Sequence, residues 1–96
     1  MSAPKVTLYS KPSCVGCQAT KRQFAKLGIE YTEIDISVDA QAREYVMGLG
    51  YLSAPVVVAE LPDGIRHWSE YRHELIGDLA RELDAIAYLE AEGEPV

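Results

Sequence analysis

Lys5-Val6-Thr7-Leu8-Tyr9-Ser10-Lys11-Pro12-Ser13-Cys14-Val15-Gly16-Cys17 changes character twice within a few residues. Lys5 to Tyr9 has the β-branched and aromatic composition of a strand. Ser10-Lys11-Pro12-Ser13 is a turn-forming cluster, and from Val15 to Leu27 the positions Cys17, Thr20, Phe24 and Leu27 recur at helical spacing. Gly28 stands where a helix C-cap belongs. Two cysteines are thereby placed at a strand-to-helix junction.

Downstream, Ile29 to Ile36 has the pattern of a second strand through Tyr31, Ile34 and Ile36. Asp39 offers an N-cap for a helix carrying Ala42, Tyr45, Val46 and Leu49, which Gly48 and Gly50 bring to its end. Val56-Val57-Val58-Ala59 is the strongest strand signal, and Pro62-Asp63-Gly64 turns it into Ile65-Arg66-His67-Trp68 as a hairpin. A last helix is expected from about Arg72 to Glu90, with Leu75, Leu79, Leu83 and Ile86 as its buried stripe. The order β-α-β-α-β-β-α implies an α/β fold with a four-stranded mixed sheet flanked by three helices.

The 96 residues suit one domain, expected over 1–90, with 91–96 as a disordered acidic tail containing Glu92 and Glu94. Hydrophobic residues are 48% and charged residues 25%, an ordinary globular balance that needs no metal or disulfide staple. The net charge of -6 and pI near 4.8 oppose a nucleic-acid or anionic-membrane surface. Met1-Ser2-Ala3-Pro4-Lys5 lacks the apolar run of a signal peptide, and no stretch reaches the length of a membrane span. These features fit a cytoplasmic monomer.

In a reducing compartment, two cysteines spaced as Cys14-Val15-Gly16-Cys17 point to redox or metal chemistry. At a helix N-terminus the Cys14 thiolate is stabilised by free N–H groups and the helix dipole. Its pKa is expected to fall from about 8.5 into the upper part of the roughly 3.5–7.5 range, with Lys11 assisting. Cys17 continues the buried stripe, so Cys14 is the expected nucleophile and Cys17 the resolving thiol, while Gly16 leaves room beside the pair for an incoming chain. A zinc half-site needs two further ligands, and His67 and His73, the only histidines, flank a strand-to-helix junction instead of forming a close pair.

Pro55 precedes a strand and is cis or trans as far as sequence tells; beside the cysteines, the Ala54 backbone could pair with an extended substrate segment. Trp68, Ser69 and Arg72 are read as an ordered wall near the site, with Ser69 capping the last helix. Tyr9, Tyr51 and Tyr71 read as packing residues.

Tyr9-Ser10-Lys11-Pro12-Ser13-Cys14-Val15-Gly16-Cys17-Gln18-Ala19-Thr20-Lys21-Arg22, Leu49-Gly50-Tyr51, Ala54-Pro55-Val56-Val57-Val58 and Trp68-Ser69 together resemble the NrdH-redoxins from about Val6 to Leu79. The resemblance implies a thioredoxin/glutaredoxin fold and a dithiol oxidoreductase without a bound cofactor. It further implies reduction by thioredoxin reductase, with NADPH entering only through that reductase, and class Ib ribonucleotide reductase as target. It also implies poor use of glutathione, since glutaredoxins hold that tripeptide's carboxylate with a Gly-Gly-x-Asp type segment where this chain has Trp68-Ser69-Glu70-Tyr71. Departures from the family pattern are Gly16 in place of glutamine, Glu70-Tyr71-Arg72-His73-Glu74 in place of Gly-Phe-Arg-Pro-Asp, a longer hairpin from Glu60 to Arg66, and an extended tail past Leu83. Two other readings stay open: a glutathione- or mycothiol-dependent glutaredoxin, favoured by Lys11 and opposed by Glu70, and a module holding an iron-sulfur cluster through Cys14.

Overall fold

In the computed structural model, which describes residues 3–92, the chain runs β1 (Lys5–Ser10), α1 (Val15–Leu27), β2 (Thr32–Asp35), α2 (Ala40–Gly48), β3 (Val56–Leu61), β4 (Gly64–Ser69) and α3 (His73–Glu92). The sheet order is β2-β1-β3-β4. β1 and β2 are parallel across the α1 crossover, while β1–β3 and β3–β4 are antiparallel. This is a thioredoxin-like α/β fold with a mixed four-stranded sheet.

β3 explains why the sheet is covered on both sides. Val56, Val57, Val58 and Ala59 are all buried, as befits a central strand with apolar neighbours on both faces. Val57 and Ala59 join Leu8, Phe24, Trp68, Ile76 and Leu79 in one cluster, whereas Val56 and Val58 pack with Val46 in another. Since alternate strand residues point to opposite faces, α1 and α3 cover one side and α2 the other.

The helix boundaries follow from their caps. The Cys14 side chain accepts from the Cys17 N–H at 3.1 Å, and Asp39 accepts from the Ala42 N–H at 2.9 Å. Gly28, at φ 71, ends α1 in the left-handed conformation that glycine adopts without a Cβ clash, and Ile29 N–H closes back on the Phe24 carbonyl at 2.9 Å.

Five sequence expectations need correction. β2 begins at Thr32, not Ile29, because Ile29 terminates α1 and Tyr31 packs its ring edge-on against Phe24 at 4.9 Å. Leu27 is 39% exposed, so the buried face of α1 stops at Phe24. Leu75 is 40% exposed, and Ile76, at 0%, begins the buried stripe of α3, continued by Leu79, Ala80, Leu83 and Ile86. Leu75 lies at the margin of that stripe, one residue and about 100° round the helix from Ile76. Ser69 ends β4 and does not cap α3; the Arg72 carbonyl instead accepts the Ile76 N–H at 3.0 Å. Residues 91 and 92 belong to the end of α3, and the rest of the expected tail, 93–96, lies outside the described residues.

Phe24→Ala is expected to lower the unfolding free energy by about 3–5 kcal/mol, read from urea titration at unchanged slope. Leu75→Ala, at the helix margin, is expected to cost less than about 1 kcal/mol in the same measurement.

Candidate active site

Strand register assembles the site. Tyr9 stands opposite Val56, and Val56 stands opposite Ser69. The segments that continue from these three residues therefore emerge at one end of the sheet. They are Lys11 to Cys14 after β1, Ala54-Pro55 before β3, and Glu70 to Arg72 after β4.

Cys14 and Cys17 form a disulfide with Cα atoms 5.2 Å apart. Cys14 is 8% exposed and Cys17 1%, so an incoming group meets Cys14 first. The Cys14 sulfur already receives the Cys17 N–H at 3.1 Å, the kind of helix-terminal donor that stabilises a thiolate once the disulfide opens. Ser13, just before it, takes a left-handed φ of 56. Thr20 Oγ1 donates to the Gly16 carbonyl at 2.8 Å and holds the first turn of α1.

Gly16 does not leave the open space expected of it. A Cβ built there would lie 3.1 Å from Pro55 Cδ and 3.9 Å from the Tyr71 nitrogen. The turn between the cysteines is thus pressed against both other segments, and the small residue permits that approach. The Ala54–Pro55 peptide is cis. The Pro55 carbonyl accepts the Glu70 N–H at 2.8 Å, which ties the pre-β3 and post-β4 segments together. Ala54, half-buried, makes no backbone hydrogen bond among the described residues.

The wall residues divide by depth. Trp68 is 8% exposed and belongs to the α1/α3 core, with its Nε1 buried and without a partner among the described residues. It supports the wall from behind. Arg72 is exposed and its Nε donates to the Ser69 carbonyl at 3.0 Å, bracing the start of α3. Lys11 is exposed on the other flank, in a shallow depression shared with Gln18, Lys21 and Glu33.

Some contacts here had no sequence signature. Tyr51 OH hydrogen-bonds His67 Nδ1 at 2.8 Å, and Tyr71 OH meets His73 Nδ1 at 3.2 Å, so both histidines have tyrosine partners. Among the described residues no group of three or more His, Cys, Asp or Glu side chains is arranged to hold a metal ion. Val15, beside Cys14, and Leu52, two residues before Ala54, are 83% and 89% exposed and give this end apolar surface. Beneath the loop, Ser10 Oγ donates to Glu33 at 2.7 Å and Lys21 pairs with the same carboxylate at 3.2 Å. The Ser10 hydrogen bond lowers the Glu33 pKa; partial burial opposes it, and Lys21 adds to the lowering. No helix among the described residues is long and apolar enough to cross a membrane.

The glutaredoxin family model matches residues 6–60. The chain is 32% identical over 75 residues to the glutaredoxin-like protein NrdH of Escherichia coli K12, covering 78% of this chain and 88% of the relative. It is 33% identical over 55 residues to the protein of the same description from Lactococcus lactis MG1363, covering 57% and 76%. The solved structure of NrdH-redoxin from Escherichia coli superimposes with a TM-score of 0.70 at 31% identity, covering 78% of this chain and 93% of that one.

The lowered Glu33 pKa makes a signed prediction. A carboxyl whose folded pKa is depressed adds stability above its unfolded value, about 4.3, and loses it as the pH falls through the folded one. Urea midpoints of the wild type are expected to drop between about pH 5 and pH 3, and Ser10→Ala is expected to flatten that limb. Equal acid limbs in the two proteins would show that the Ser10 bond does not set it.

Proposed function

This chain belongs to the glutaredoxin-like NrdH family of the thioredoxin superfamily and carries its redox-active Cys-x-x-Cys pair, and we propose that it is a dithiol redoxin that reduces protein disulfides in the cytoplasm. Its electron donor is thioredoxin reductase, with NADPH behind that enzyme, and its target is class Ib ribonucleotide reductase. No bound cofactor is required. The observation that carries this reading is the unequal exposure of the two cysteines, 8% for Cys14 and 1% for Cys17, at a capped helix N-terminus. The Escherichia coli relative, described as having a thioredoxin-like activity profile, supports the choice of reductase.

Each step balances. The Cys14 thiolate attacks one sulfur of the target disulfide, forming a mixed disulfide and expelling the other target sulfur as a thiolate, which takes a proton from water. Cys17 loses its proton to solvent and attacks Cys14 Sγ, breaking the mixed disulfide and releasing the second target thiolate. The target gains two electrons, and the redoxin is left as the Cys14–Cys17 disulfide. The reductase returns two electrons by the same exchange in reverse, leaving Cys14 as the thiolate and Cys17 reprotonated from solvent.

The surface proposed to receive partners is the end of the sheet that carries Cys14, where exposed Lys11 and Arg72 and half-buried Ala54 and Ser69 flank the buried Pro55, with Trp68 in the core behind β4. The free Ala54 backbone suits pairing with an extended target segment. The net charge of -6 fits a protein partner, not a nucleic acid, and the molecule is proposed to act as a monomer.

Oxidised protein mixed with NADPH and thioredoxin reductase is expected to consume NADPH, while NADPH, glutathione and glutathione reductase are expected to give little turnover. Turnover with glutathione alone would replace this reading with that of a glutathione-dependent glutaredoxin. Cys14→Ser is expected to abolish turnover, and Cys17→Ser to accumulate a mixed disulfide with the target, visible on a non-reducing gel.

A further inference from the structure

Among the described residues only Ser13 and Glu70 combine a side chain with a positive φ, 56 and 69. Both lie at the active-site end of the sheet. For Glu70 the left-handed conformation disfavours a side chain, since the Cβ crowds the backbone. The backbone duty of this position is to donate its N–H to the Pro55 carbonyl at 2.8 Å. Glycine would perform that duty with less strain, because nothing in the bond uses a side chain. Strain that persists at a site and serves no packing role points toward function.

The Glu70 side chain has no packing role. The residue is exposed, and among the described residues its carboxylate enters no hydrogen bond or ion pair. Arg72, the nearest cation along the chain, turns its Nε to the Ser69 carbonyl instead. The Glu70 backbone is nonetheless held, tied to Pro55, while the next residue, Tyr71, places its nitrogen 3.9 Å from a Cβ built on Gly16. An unneutralised negative charge, carried by a backbone held to Pro55, therefore lies one residue from the segment that borders the turn holding both cysteines.

We propose that Glu70 is a specificity-determining residue whose carboxylate favours disulfides flanked by Lys or Arg and disfavours those flanked by carboxylates. The proposal rests on the dithiol-redoxin reading and adds the charge of the segment that reaches Cys14. A unit charge about 6 Å from another at the water-exposed surface changes an encounter by roughly threefold, with opposite signs for attraction and repulsion. The preference for a cationic over an anionic disulfide is then roughly tenfold from Glu70 alone, and it falls as salt screens it.

The test uses pre-reduced full-length protein and two disulfide-linked fluorogenic peptides, identical except that Lys or Glu flanks the cystine. Second-order reduction rates are measured at about 20 mM and 500 mM salt, a range that spans weak and strong screening. Wild type is expected to favour the Lys peptide at low salt, Glu70→Gln to lower that ratio by roughly fivefold or more, and the two proteins' ratios to converge at high salt. Glu70→Gly is expected to lower the ratio equally and to raise the thermal midpoint by about 2–8 °C, since it removes the strain and the charge together. A Lys-to-Glu ratio in Glu70→Gln within twofold of wild type would overturn the proposal. Failure of wild type to reduce either peptide would instead overturn the redoxin reading, so the two failures are distinct.

Discussion

β1 and β3 run antiparallel with Tyr9 opposite Val56, and Val56 pairs in turn with Ser69 of β4, so one line of backbone hydrogen bonds sets where three separate segments leave the sheet. A slip of one residue would turn Val56 and Val58 toward the α1/α3 side and Val57 and Ala59 toward α2, exchanging the two cores. The buried valines therefore hold the register, and the register holds the cysteine turn against Pro55 and Tyr71, with Glu70 bonded to Pro55. The chemistry at the rim depends on apolar burial behind it.

That dependence explains how local strain is tolerated. Ser13 sits in a left-handed conformation just before the Cys14 cap of α1 and Glu70 in another just after β4, where a backbone bond to Pro55 holds it. Trp68, the core residue nearest the wall in sequence, anchors β4 immediately before it. A covered sheet is stiff enough to keep small segments in poor conformations, which is how the cysteine turn, Pro55 and the Glu70 backbone keep a fixed relation.

Much of this was legible in local pattern. Gly28 as the α1 cap, Asp39 as the α2 cap, and Val56-Val57-Val58-Ala59 as a buried strand follow from propensity, capping chemistry and run length, and each stands where expected. Ile29 and Leu75 misled for a shared reason. Each is apolar in a suitable phase, but Ile29 is used to close a helix and Leu75 lies off the centre of the stripe begun by Ile76. Hydrophobic pattern shows that a residue can be buried, not which neighbour takes the place first. Ser69 has a capping side chain, yet strand pairing with Val56 claims it.

The sequence by itself determined the element order, the placement of Cys14 at a helix start with Cys17 one turn deeper, and the family. All of these depend on residues near one another in the chain. Only the tertiary structure decided that Gly16 closes on Pro55 instead of opening a gap, that Pro55 is cis, that both histidines pair with tyrosines, and that Glu70 is locked beside the cysteine turn. Each of those facts is a contact or a backbone state imposed by packing. Sequence spacing cannot encode it, because it is set by which strand lies beside which and in what register.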